Sequence, residues 1–89
     1  MSIDLAKNWF VYIIHCSDET LYTGITTDIE RRYTQHATQQ GAKYFRGRKP
    51  QKLVYQESGH DRSTASKREI EIKGLSRADK FQLIALQKI

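Results

Sequence analysis

Arg32 and His36 stand four residues apart, which on a helix puts both side chains on one ridge. Arginine offers planar, bidentate donors to anionic oxygens, and a histidine beside it can donate a hydrogen bond or move a proton near neutral pH. Tyr12 and Tyr22 add two phenols, which can orient or deprotonate a water when a cation and an arginine raise their acidity. Glu69 shares one helical arc with Ala65 and Ile72, so its carboxylate lies on or at the rim of an apolar face and needs a partner. A divalent cation would serve, and so would an i, i+4 ion pair with Lys73. Together these groups can hold a phosphodiester, activate water and bind a single metal ion. The plain alternatives are a solvated basic helix for Arg32 and His36, and packed strand residues for the tyrosines.

A second feature is the stretch over residues 43–52, which holds Lys43, Arg46, Arg48, Lys49 and Lys52 with Tyr44 and Phe45 and has no acid. Its cations can neutralise backbone phosphates while Tyr44 or Phe45 stacks on an unpaired base. It reads as an exposed, flexible basic loop, and such loops are also often merely solvated.

The elements that must position these groups follow from apolar patterning. Residues 9–15, rich in aromatic and β-branched types, predict a strand with both faces covered, and residues 21–26 predict its antiparallel hairpin partner. Opposed residue numbers in such a pair have a constant sum, which must be even for Tyr12 and Tyr22 to share a face. A three-residue loop of Asp18, Glu19 and Thr20 satisfies this. Gly24 inside the second strand marks a bulge or a close backbone approach. Thr27 to Glu30 read as a capping box with Thr27 as cap, opening a helix with Ile29, Tyr33 and Ala37 inward and Gly41 at its end. Residues 52–57 predict a third strand, at the edge or beside the first. Asp61 caps a second helix running to about Gly74, and Ser76 caps a third whose Phe81, Leu83, Ile84 and Leu86 should pack on the sheet. Asp28, Glu30, Asp61 and Asp79 are thus committed to helix starts, Glu57 stands alone on a strand, and His15 and His60 have no evident partners.

At 89 residues, the chain is expected to form one domain over 1–89 with its core at about 9–86. Fifteen Lys and Arg against ten Asp and Glu give a net charge of +5, which favours an anionic partner such as nucleic acid. No apolar run reaches the length of a membrane span and the first residues lack a signal-peptide pattern, so a cytoplasmic location is expected. Cys16, the single cysteine, reads as a small buried strand residue.

Phe10-Val11-Tyr12, Tyr22-Thr23-Gly24, Arg32 and Glu69 resemble the motifs of the GIY-YIG nuclease superfamily, especially its small stand-alone bacterial members. The resemblance implies an α+β fold, a three-stranded antiparallel sheet flanked by helices in the order β-β-α-β-α-α, which agrees with the elements above. It also implies divalent-metal-dependent cleavage of nucleic acid, with Tyr12 and Tyr22 as the motif tyrosines, Arg32 as the helix arginine, Glu69 as the ligand of one Mg²⁺ or Mn²⁺ ion, and His36 at a position held by His or Tyr. The expected partner is DNA. Alternatives are a non-catalytic nucleic-acid-binding module, or a docking subunit or homodimer using Ile84 and Ile89 of the last helix.

Overall fold

The computed structural model describes residues 7–38 and 43–87, with the side chain of Tyr44 outside the description. Three strands, β1 (Trp9–Cys16), β2 (Leu21–Thr26) and β3 (Pro50–His60), form one antiparallel sheet in the order β2-β1-β3. Helices α1 (Ile29–Ala37), α2 (Arg62–Lys73) and α3 (Arg77–Leu86) flank it, giving an α+β fold with the expected element order. The uninterrupted apolar run of β1 takes the centre, where both faces are covered. Val11 and Ile13 point to one side and pack with Tyr55, Ala65 and Ile72, joined by Leu83 and Ile84 of α3. Tyr12, Ile14 and Cys16 point to the other and pack with Phe45, joined by Tyr22, Ile29, Tyr33 and Leu53. Cys16 is buried and free, as its surroundings in the sequence predict.

The hairpin closes on Ser17, Asp18 and Glu19, one residue earlier than expected. The Cys16 amide donates to the Thr20 carbonyl at 2.9 Å and the Glu19 amide to the Cys16 carbonyl at 3.0 Å. Glu19 takes the left-handed conformation, φ 70°, that this loop length demands. Asp18 stabilises the turn by accepting from the Thr20 hydroxyl at 2.6 Å. The loop is still odd in length, so parity survives: Tyr12 lies opposite Gly24, and Ile14 opposite Tyr22. The two tyrosines therefore share a face.

Strand β3 is longer than the 52–57 expected. Pro50 is tolerated as the first residue of an edge strand, and Gly59, at φ 83°, lies where the β1–β3 register shifts between Trp9 and Val11. Ser58 and Gly59, beyond the strand end expected, thus form an irregularity within the ladder. Asp28, not Thr27, caps α1, its carboxylate accepting from the Arg31 amide at 3.0 Å. The helix ends at Ala37 with Thr38 as its C-cap, Ala37 is exposed, and Gly41 lies outside the described residues. Asp61 and Thr64 form a reciprocal capping box for α2, and Ser76 caps α3.

On α3 only part of the expected inner face is buried. Leu83 and Ile84 reach the core, whereas Phe81 is 40% and Leu86 74% exposed. Ile84 is consequently part of the core rather than a free docking face, and Ile89 lies outside the described residues. No helix among the described residues is long and apolar enough to cross a membrane.

Candidate active site

β1, β2 and α1 meet on one face of the sheet, and α2, packed on the other face, also contacts β2. Tyr12 leaves the central strand directly opposite Gly24, and a Cβ on Gly24 would sit 2.5 Å from the Tyr12 hydroxyl and 2.7 Å from its Cζ. The phenol therefore lies flat across the edge strand in space that only glycine leaves open. Tyr22, next on the same face, flanks it with ring centroids 6.2 Å apart. The expected close approach at Gly24 is thus made by a side chain, and Gly24→Ala should cost about 1–3 kcal/mol by overpacking and displace Tyr12. Thermal melts and an NMR spectrum of the tyrosine rings would check it; an unchanged melting temperature would mean that Tyr12 is not held there.

Helix α1 crosses this face through Ile29 and Tyr33, which drives the Arg32–His36 ridge toward the phenols. His36 is fully buried, its Nε2 2.9 Å from the Tyr12 hydroxyl oxygen. Its ring stacks on Phe45 at 4.2 Å between centroids and meets the Tyr22 edge at 5.2 Å. His36 Nδ1 is buried with no hydrogen-bond partner among the described residues. Burial, and then the charge of Arg32, push the imidazole down to about 4, so it is neutral at pH 7.

That shift has a stability consequence of definite sign. The unfolded histidine takes up a proton near 6.5 and the folded one only near 4, so stability is fully present above pH 6.5 and is lost as pH falls through that window. The expected loss is about 2–3 kcal/mol. Denaturant titrations at pH 7 and pH 4.5 should show this extra decline in the wild type and not in His36→Phe, whose ring keeps the stack on Phe45. Parallel declines would exclude His36 as the source.

Arg32 is half-buried and donates to Gln35 Oε1 at 2.9 Å. It bears on both phenols. Burial raises the pKa of Tyr12 and of Tyr22, hydrogen bonding and charge from Arg32 oppose the rise, and the charge of Glu69 adds to it. Burial outweighs the arginine, and both phenols are neutral at pH 7. Glu69 projects from α2 with its side chain 22% exposed, at the rim of the face that buries Ala65 and Ile72, and pairs with Lys73 Nζ at 3.1 Å. The ion pair weighed as an alternative is therefore formed, and Lys73 in turn lowers the Tyr22 pKa. Tyr12, Tyr22, Arg32, His36 and Glu69 thus form one electrostatically connected cluster beside the outer strand.

The basic stretch behaves differently from the flexible loop expected. Lys43–Phe45 form a short 3-10 turn that buries Phe45 between His36 and Tyr22, so this ring is unavailable for stacking on a base. The Ser17 amide donates to the Lys49 carbonyl at 2.9 Å and the Lys49 amide to Ser17 Oγ at 3.1 Å. Arg48 pairs with Asp18 at 2.5 Å, and the Thr20 hydroxyl first and Arg48 second hold that carboxyl near 2. The stretch is clasped to the β1–β2 turn. Lys43, Arg46, Lys49 and Lys52 remain exposed, and the Tyr44 side chain lies outside the description.

Glu57, which reads as isolated, accepts from Tyr55 at 2.7 Å and from Arg68 at 3.1 Å and contacts His60 at 2.7 Å, while His15 contacts Glu19 at 3.1 Å. The Glu57 group lies at the β3 edge, across the sheet from β2, and the His15–Glu19 contact lies at the β1–β2 turn. Trp9 and Arg31 line a groove with Arg32 at the start of α1, and the sequence reading passed over both. The available signal was the lone tryptophan at a strand start and the second arginine beside Arg32.

A family model for the GIY-YIG catalytic domain matches residues 8–82, which include every member of the cluster. The chain belongs to the GIY-YIG family. A UPF0213 protein of Natronomonas pharaonis is 52% identical over 81 residues, covering 91% of this chain and 95% of that one. A UPF0213 protein of Staphylococcus saprophyticus is 50% identical, covering 85% and 93%. The solution NMR structure of a Bacillus halodurans UPF0213 protein matches with a TM-score of 0.57 at 46% identity, covering 89% of this chain and 84% of that one. The two GIY-YIG triplets meet at a single pair of the hairpin register, with Tyr12 of the first seated on Gly24 of the second.

Among the described residues no three His, Cys, Asp or Glu side chains group as metal ligands. The donor set still fits Mg²⁺ or Mn²⁺ in one mode, because Mg²⁺ commonly keeps several waters and takes one or two carboxylates plus substrate phosphate. Glu69 is the carboxylate of the cluster, and Lys73 marks where a cation is already favoured.

Proposed function

We propose that this chain is a small metal-dependent endonuclease that hydrolyses DNA phosphodiester bonds at the β2 edge. The observation that carries the reading is the convergence of two phenols, a guanidinium, a neutral imidazole and one carboxylate from four elements. Arg32 donates to the non-bridging oxygens of the reacting phosphate, and its donors matter most as negative charge accumulates there. The Tyr12 hydroxyl donates to His36 Nε2, leaving oxygen lone pairs to accept a hydrogen bond from the attacking water. As water attacks phosphorus, its proton passes to the Tyr12 oxygen while the Tyr12 proton passes to His36. The bond from phosphorus to the departing sugar oxygen breaks, that oxygen takes a proton from solvent, and the His36 imidazolium returns its own proton to solvent, so phenol and imidazole both end neutral. The relay spares the buried phenol from ionising, at the expense of a transient imidazolium at His36. Tyr22 borders the same space and orders the water. Glu69 would hold Mg²⁺ or Mn²⁺, which supplies Lewis-acid stabilisation of phosphate charge. Exposed Lys43, Arg46, Lys49 and Lys52 contact the DNA backbone away from the reaction centre, with Arg48 holding the stretch in place.

Tyr12→Phe keeps the ring on Gly24 and removes the relay oxygen. Single-turnover cleavage should slow about a hundredfold with DNA affinity unchanged, and an unaffected rate would remove Tyr12 from the chemistry. The Glu69–Lys73 pair favours one rival, a nucleic-acid-binding module in which Glu69 is purely structural. In that case the wild type binds DNA and releases it intact whatever metal is present.

A further inference from the structure

Beside Arg32, at the start of α1, lies an open groove of about 300 Å³ whose lining includes Trp9, Ile25, Asp28, Arg31, Arg32 and Gln35. Its volume is at the low end for small-molecule sites, a scale that suits one nucleotide. Its chemistry is that of a nucleotide as well. The indole, half-buried against the Val11 and Ile13 cluster, offers an aromatic ring, and two arginines offer phosphate donors. The Arg62 guanidinium stands over that ring, 5.9 Å from its centroid, where a stacking base would displace it or share the ring with it. Asp28 is the single carboxylate in the lining, and it is turned into the helix, accepting from the Arg31 amide at 3.0 Å. Arg32 belongs to both the groove lining and the phenol cluster.

We propose that this groove holds an unpaired DNA nucleotide adjoining the reacting phosphate, its base stacked on Trp9 and its phosphate on Arg31. The preferred substrate then carries single-stranded DNA next to the point of cleavage, because a base in a duplex cannot present its face to an indole without leaving the stack. The assignment of which phosphate reacts rests on the proposed hydrolytic function; the stacking subsite does not.

Trp9 is the single tryptophan, so its emission reports the subsite directly. The wild-type chain is titrated in EDTA, where no turnover is expected, with a short oligothymidylate and with a duplex of equal length. Saturable quenching by the single strand, with affinity at least roughly tenfold above that for the duplex, is the expected result. Trp9→Leu should bind a labelled oligothymidylate on the order of tenfold more weakly, Trp9→Phe should recover most of the loss, and Arg31→Gln should weaken binding and flatten its salt dependence. Unaltered emission at saturation, or equal losses on single strand and duplex, would overturn the proposal even if Trp9→Leu proved unstable. An oligouridylate that quenches where oligothymidylate does not would assign the groove to RNA and overturn its DNA form. Quenching without Mg²⁺-dependent cleavage would sink the hydrolytic reading and leave this subsite standing, whereas cleavage with silent Trp9 would remove the subsite alone.

Discussion

Glu69→Gln should reduce Mg²⁺-dependent cleavage roughly a thousandfold or more, because several kcal/mol of charge stabilisation depend on a cation that a neutral amide binds poorly. The substitution keeps the side-chain shape and removes one partly exposed ion pair, at a stability cost of about 1 kcal/mol or less. The fold should therefore persist, as a thermal melt would show. Lys73→Met separates the two roles that the structure gives the carboxylate. It breaks the 3.1 Å pair just as completely but leaves the oxygens free. If Glu69 is a metal ligand, Lys73→Met should cleave at least as well at low Mg²⁺ as the wild type, since an ammonium no longer competes with the cation. If Glu69 is structural, the two variants should behave alike.

Arg32→Ala should lower turnover by a factor on the order of 100 to 1000 while changing DNA affinity far less. Arg32 sits at the phenols, where charge develops on the reacting phosphate, whereas backbone binding is spread over Lys43, Arg46, Lys49 and Lys52. Gln35→Ala is the control, because it removes the 2.9 Å hydrogen bond that steadies the guanidinium without removing the charge. Its effect should be the smaller. Equal losses of binding and turnover in Arg32→Ala would make Arg32 a ground-state contact and favour the binding-module reading.

The order of elements was legible because each has a local signature. The β-branched run of β1, the caps at Asp61 and Ser76, and the helical spacing of Ile29 and Tyr33 all act over a few residues. The shared face of Tyr12 and Tyr22 followed from parity alone, which tolerates the one-residue shift of the turn. What escaped depends on contacts distant in sequence. Phe45 reads as an exposed aromatic in a basic stretch until His36 and Tyr22 are placed beside it. Thr27 and Asp28 are adjacent good caps, and only the observed backbone chooses Asp28. Ser58 and Gly59 carry turn chemistry and are used inside β3. The burial that raises both phenol pKa values against the pull of Arg32 is a tertiary fact that composition does not reveal. Glu69 was located correctly at the rim of its helix, with the partner weighed as the alternative.

The most direct test is to incubate the purified wild-type chain with end-labelled DNA carrying a single-stranded segment, in Mg²⁺ and in EDTA, under single-turnover conditions. The expected result is strand scission in Mg²⁺ and intact DNA in EDTA, with the cut beside the single-stranded segment. DNA that is bound in both conditions and recovered whole in both would contradict a hydrolytic site at the β2 edge.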